Sequence, residues 1–460
     1  MTNVQSKFLT PVLCTCQEFQ HPWTKHCANA SAGLLLASIP YCLRVYTMVY
    51  MISLMMRHRI PKRDDLIKTI RGILQSTAFL CTNAFSFILY NCFIRYLLGG
   101  YYWLTVSFVP AFFASFTALL VERPERRSLL TLYVANVATE TIWNMAESRG
   151  LVRSIPHGQT LIFGVSISIL LYLYRLGLHK TSCKDSIFNI LRIFVGKPEE
   201  GPRTIAEAKP ETSTTQSRTP LNLTTINGIV QAYGRFIDTL KSKHKSCPHK
   251  ESCISYAAFG GLKPFIGGIS LQVALKLIMN IKKIVQNRMN WRKSIFNRET
   301  LKLGIFLGSF SLLYKSVSCL LRRTFGKDDP LFAIPAGLIG SIAFTQYPDV
   351  TVALYVMWKT LQIVYNYGIE KKVLPKVPGF KILLYSFCTA VLFHAGVLEP
   401  KNLRSSYFKF LQAISGERLS NFNLAPFDVY GNNSHQNARE VIKNLNIVTK
   451  SNLPKFAMTS

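Results

Sequence analysis

The sequence predicts an all-α polytopic membrane helix bundle, internally duplicated, with about four spans plus a re-entrant or interfacial segment in each half. Three observations predict it. Hydrophobic residues make up 49% of the 460 and aromatics 12%, while charged residues reach only 17%, against roughly 25% in soluble domains. The formal net charge is nevertheless +31, which suits polar, basic loops between apolar segments and neither a disordered chain nor an ordinary soluble enzyme. Finally, apolar runs of spanning or near-spanning length recur in two sets of five.

The first set lies at about 33–56, 73–98, 101–121, 129–147 and 160–178, and the second at about 256–280, 303–321, 331–347, 351–368 and 381–399. A spanning helix needs about 20 apolar residues, so most of these runs qualify. Residues 198–225 between the sets are rich in Pro, Thr and Glu and read as a linker that buries no core. The sets resemble each other. Pro110-Ala111 matches Pro335-Ala336, Pro124 matches Pro348, and Leu132-Tyr133-Val134 matches Leu354-Tyr355-Val356. The expected organisation is a Cys/His-containing segment (1–32), a first membrane repeat (33–178), a basic linker with a second Cys/His segment (179–255), a second repeat (256–399) and a tail (400–460).

Parity sets the expected topology. The stretches 57–71 and 281–302 are the strongest positive-inside signals, with six basic residues to two acidic and seven to one. An even number of spans per set keeps both on one face. The first run of each set is the least comfortable in lipid, because Pro40 and Arg44 interrupt one and Lys263-Pro264 the other. These two runs are therefore expected to be re-entrant or interfacial, leaving eight spans. The polar first 31 residues lack the apolar core of a secretory signal, so any organelle address is expected to be internal.

No enzyme motif stands out. The chain has no phosphate-cradling Gly-rich loop, zincin His-Glu pair, nucleophile elbow or dinucleotide fingerprint, so no catalytic residue is assigned. Glu140 is the one acid expected in mid-span, and an unpaired carboxylate in hydrocarbon is costly. It reads as an interhelical pin, with Arg95, Lys315 and Lys359 as the available intramembrane partners. His394 reads as a packed or hydrogen-bonded residue.

Cysteines number eleven, an odd count spread over the chain and unlike a secreted disulfide framework. Cys14, Cys16, His21, His26 and Cys27 form one group, and Cys247, His249 and Cys253 a second. Either group has the residue types of a tetrahedral zinc site, though neither has paired Cys-x-x-Cys knuckles. Redox-active or structural disulfide pairs and inert reduced thiols are the other readings, so no cofactor beyond a candidate zinc is assigned. Gly260-Gly261, Gly267-Gly268, Gly304, Gly308, Gly337 and Gly340 recur at intervals that let helices approach closely. Lys282, Lys283, Arg288, Trp291, Arg292 and Lys293 alternate with apolar residues, the pattern of an interfacial helix on anionic lipid headgroups. Basic membrane loops account for the charge without nucleic acid.

Several stretches together resemble the Transmembrane protein 135 family. They are Cys16 to Cys27 with His21 and Trp23, Ala138-Thr139-Glu140-Thr141, Leu191-Arg192-Ile193-Phe194-Val195-Gly196-Lys197 and Cys253-Ile254-Ser255-Tyr256. Leu303 to Phe310, Tyr314-Lys315, Ser318-Cys319, Leu403 to Tyr407 and Lys409-Phe410-Leu411 complete the set. The resemblance implies a non-enzymatic multi-pass protein of mitochondrial and peroxisomal membranes. It further implies promotion of mitochondrial fission through a dynamin-related GTPase, and roles in peroxisome organisation and lipid homeostasis. It also implies a likeness to the channel subunits of mitochondrial import translocases. A transporter or translocase-like conduit for lipid, sterol or polypeptide is the competing functional class.

Overall fold

A computed structural model describes residues 9–55, 62–181, 185–201, 244–249, 252–280 and 297–445. Residues 202–243, most of the expected linker, lie outside the described residues. So does the basic stretch carrying Lys282, Lys283, Arg288, Trp291, Arg292 and Lys293. Among the described residues there are helices and no strand, apart from one isolated bridge between Val12 and Tyr101.

The chain forms two compact units. One comprises residues 1–154 and 377–460, and the other comprises residues 155–376. The first contains α1 (Cys16–Phe19), α2 (Cys27–Met55), α3 (Arg63–Leu98), α4 (Phe108–Val121) and α5 (Pro124–Ser148). The second contains α6 (Gly158–Arg175), α7 (Leu178–Thr181), α8 (Ser186–Val195), α9 (Cys253–Met279), α10 (Arg298–Phe325), α11 (Ala333–Gly340) and α12 (Val350–Glu370). The chain then supplies α13 (Phe380–Leu398), α14 (Ser405–Ile414) and α15 (Ser434–Asn444) to the first unit.

The expected repeats 33–178 and 256–399 therefore do not each close on themselves. The fifth apolar run of each set packs with the other set's helices: α13 against α4 and α5, and α6 against α11 and α12. The contact surfaces explain the second pairing. A Cβ built on Gly337 of α11 would lie 2.7 Å from Ser168 Oγ of α6, and one on Gly164 of α6 only 2.5 Å from Ser341 Oγ. Only glycine at these points lets the helices come so near.

Each unit is framed by a helix hairpin, α2 with α3 and α9 with α10. The second helix of each starts with acids in its first turn, Asp64 and Asp65 in α3 and Glu299 in α10, which complement the helix dipole. Each ends at a left-handed glycine, Gly99 (φ 72°) and Gly326 (φ 66°), a conformation that a side chain would strain. The α9–α10 hairpin is held at backbone contact. A Cβ on Gly268 would sit 2.8 Å from Gly304 Cα, and one on Gly308 2.8 Å from Phe265 Cβ.

Six of the described helices are long and apolar enough to cross a membrane: Cys27–Leu54, Arg63–Leu98, Gly158–Arg175, Cys253–Ile278, Arg298–Phe325 and Phe380–Leu398. The chain is a multi-pass membrane protein. For the first run of each set the outcome removes the re-entrant alternative of the expectation and leaves the interfacial one. Neither is a broken, re-entrant segment, because α2 runs through Pro40 and α9 through Pro264 as continuous helices. A proline removes one backbone donor, and apolar helices tolerate that loss where neighbours or local adjustments satisfy the freed carbonyl. Conversely, α4 is only 14 residues long, and run 331–347 divides into α11 and a 3-10 turn over Ser341–Gln346. Helices α5 and α12 have the length but not the apolarity of the six.

Candidate metal centres

Helix hairpins bring residues near the start of one helix beside residues near the end of the next. In the first unit Cys27 opens α2, Cys92 lies in the last two turns of α3, and Cys16 and His21 come from the preceding segment. One donor atom from each of Cys16, His21, Cys27 and Cys92 lies within 4.8 Å of all the others. In the second unit Cys253 opens α9 and Cys319 lies late in α10, with Cys247 and His249 from the preceding segment. Cys247, His249, Cys253 and Cys319 converge within the same 4.8 Å.

The individual separations are close to those of a coordination shell. In the first cluster Cys16 Sγ is 3.4 Å from Cys27 Sγ, and Cys92 Sγ is 3.6 Å from His21 Nε2. The second cluster has Cys253 Sγ 3.7 Å from Cys247 Sγ and Cys319 Sγ 3.3 Å from His249 Nε2. Zinc bonds of about 2.3 Å to sulfur and 2.0 Å to nitrogen place tetrahedral donors roughly 3.5–3.8 Å apart.

The histidines are held in place by their surroundings. His21 Nδ1 is 2.9 Å from the Thr24 carbonyl oxygen, which can only accept, so Nδ1 carries a proton and in the neutral ring the lone pair is on Nε2, toward the sulfurs. The His249 ring stacks on Tyr256 at 4.3 Å and 12°. Hydrogen bonding from Cys92, then from His21, holds the Cys16 thiol well below the usual range. Cys247 is lowered in the same way, first by Cys319 and then by His249, with burial opposing.

The two clusters are enclosed differently. Around the first, the N-terminal segment is tied down by paired backbone bonds between Val12 and Tyr101 (2.8 and 2.9 Å) and by Arg95 Nε donating to the Cys14 carbonyl at 3.1 Å. Phe19 is fully buried edge-on against Tyr101, Phe422 and Phe427. Beside the second cluster runs a buried charge network. Arg322 donates to Glu199 Oε1 and Oε2 at 2.9 and 2.5 Å and to Asp328 Oδ1 at 2.8 Å. Arg175 reaches Glu199 at 3.3 Å and also pairs with Asp328, and Tyr256 donates to Glu199 at 3.4 Å. Burial disfavours the Asp328 charge, but the Arg322 and Arg175 guanidiniums outweigh it and hold the carboxyl below its usual range.

The other residues singled out in sequence are placed as follows. Cys14 and His26 stay outside the first cluster, and Cys92 and Cys319, unassigned in sequence, complete the two sets. Glu140 does form an ion pair, but its partner is Arg404, beyond the last apolar run, and not one of the three intramembrane bases. Arg95 instead serves the Cys14 carbonyl, Lys359 pairs with Asp185 at 2.7 Å, and Lys315 lies 5.0 Å over the Tyr256 ring. The reason is reach: Arg404 follows α13, which packs on α5. His394 is buried, with Ser107 Oγ at 3.2 Å and Trp103 edge-on at 4.5 Å.

No solved structure matches the chain. A family model described as the N-terminal cysteine-rich region of Transmembrane protein 135 matches residues 13–147, the span that supplies every ligand of the first cluster. The match covers the α1–α5 segment, which is similar to that region of the Transmembrane protein 135 family.

Proposed function

We propose that the chain is a non-enzymatic protein of mitochondrial and peroxisomal membranes that promotes mitochondrial fission and supports peroxisome organisation and lipid homeostasis. The observation that carries the reading is the match of residues 13–147 to a family not known for enzymatic activity. The half-buried and buried acids of the bundles fit a scaffold, being engaged with fixed cations: Glu140 with Arg404, Glu399 with Arg149, and Glu199 with Arg175 and Arg322. The partners proposed are anionic membrane lipids and a dynamin-related GTPase. Cells lacking the protein should have elongated mitochondria and altered peroxisome number. Unchanged mitochondrial length and peroxisome number on its removal would contradict this reading.

A cavity favours the conduit as a second reading. Within the first unit a space of about 200 Å³ is lined chiefly by apolar side chains, among them Tyr46, Phe79, Phe87, Tyr133 and Phe393. Such a lining suits part of an acyl chain or another apolar ligand. Purified protein in vesicles that accelerates transfer of a labelled lipid or sterol would select the conduit. Transfer no faster than in protein-free vesicles would reject it.

A further inference from the structure

We infer that the chain binds two structural zinc ions, one in each unit, each held by three cysteine thiolates and one histidine. The ligand sets are Cys16, His21, Cys27 and Cys92 in the first unit and Cys247, His249, Cys253 and Cys319 in the second. Four features carry the assignment. The first is composition, since each cluster is a Cys₃His set, a donor combination of closed structural zinc sites. The second is distance: all four donors of each cluster lie within 4.8 Å of one another, and the closest contacts given above, 3.3 to 3.7 Å, are near the spacing of tetrahedral donors and much longer than a disulfide of about 2.0 Å.

The third feature is orientation. His21 donates its Nδ1 proton to a backbone carbonyl and so presents Nε2 as a neutral ligand, the outer-shell arrangement usual for metal-bound histidine. A cluster of inert thiols has no need of a histidine fixed in one tautomer. The fourth is recurrence in unlike surroundings. The two clusters occupy the same place on their hairpins, at the first residue of one helix and late in the next. Yet one is enclosed by aromatic packing and the other lies against an arginine–carboxylate network. Shared packing therefore does not account for the shared donors.

Binding balances as one Zn²⁺ plus three thiols and a neutral imidazole, giving a complex of net charge −1 and three released protons. No oxidant or reductant is involved. An arginine stands one helical turn beyond each helix cysteine, Arg95 after Cys92 and Arg322 after Cys319. The physical role follows from where the ligands lie. Each ion ties an extramembrane segment to both helices of a hairpin, fixing residues that otherwise have only a short turn helix (α1) or loop structure.

The test uses the full chain purified in detergent without chelator, with zinc measured by inductively coupled plasma mass spectrometry. Two zinc ions per chain are expected, one matching each cluster. C92S and C319S should each lose one ion, the double variant both, and C14S neither. Substoichiometric zinc in the wild-type chain, iron in its place, or full zinc in C92S would overturn the assignment. Should a variant fail to fold, the wild-type chain still decides. Titrating its thiols with an organomercurial should release both ions to a chromophoric chelator. Release of none, or a Cys16–Cys27 or Cys247–Cys253 disulfide found by peptide mapping without reductant, would refute it.

Discussion

The two Cys/His clusters are built from the same donors on the same hairpin frame, but the protein around them differs. The first depends on aromatic packing, with Phe19 at 4.7 to 5.4 Å from the rings of Tyr101, Phe422 and Phe427. The second stands beside four buried or half-buried charges, with Glu199 between Arg175 and Arg322. The constant part is what coordination chemistry requires, three sulfurs and one imidazole. The variable part is what a fold can change while still holding an extramembrane segment on two helices. An apolar plug is forgiving of chemistry but not of volume, and an ion network is the reverse.

That contrast can be broken from either side. The largest effect is expected in the second unit. Glu199→Ala leaves two buried guanidiniums short of their shared carboxylate and should cost about 3–5 kcal/mol, read as a fall in the thermal unfolding midpoint in detergent. Glu199→Gln, which keeps the side chain's volume and one acceptor oxygen but turns the other into a donor, should cost less than the alanine. An unchanged midpoint for Glu199→Ala would show that the network holds nothing.

Next is Phe19→Ala in the first unit, expected to cost about 3 kcal/mol through the cavity left among three rings. Hydrogen exchange should then rise in peptides from 14–27 and not in those from 244–253; equal rises in both would dissolve the contrast. Glu140→Ala should cost about 1–3 kcal/mol by unpairing Arg404, with Glu140→Gln milder, because a chain unfolded in the membrane also finds partners. Wild-type stability for both variants would remove the pin. The smallest effect belongs to Cys14→Ser. Cys14 lies outside the first cluster, gives its backbone carbonyl to Arg95 and is only partly buried, so a near-isosteric serine should keep stability within about 0.5 kcal/mol of wild type.

The sequence made the class of fold readable because apolar run length reports directly on helices, and the Cys/His segments declared three ligands of each cluster. Cys92 and Cys319 escaped because a cysteine inside an apolar run reads as a small packing residue. The usable signal was spacing: Cys27 to Cys92 and Cys253 to Cys319 are almost equally far apart. Pro40 and Pro264 suggested interruptions that the helices do not make, since a proline's local cost says nothing of what its neighbours supply. Periodicity gives a helix its faces but not its partners. For that reason neither the pairing of Glu140 with Arg404 nor the placing of α6 and α13 with the other set's helices could be read along the chain.

Zinc-edge X-ray absorption on the wild-type chain tests the central claim most directly, because it reports the average donor shell of both centres without a substitution. Two Cys₃His centres predict, per zinc, three sulfurs at about 2.3 Å and one nitrogen at about 2.0–2.1 Å. A shell of nitrogen and oxygen donors alone, or no zinc edge from fully folded protein, would contradict it.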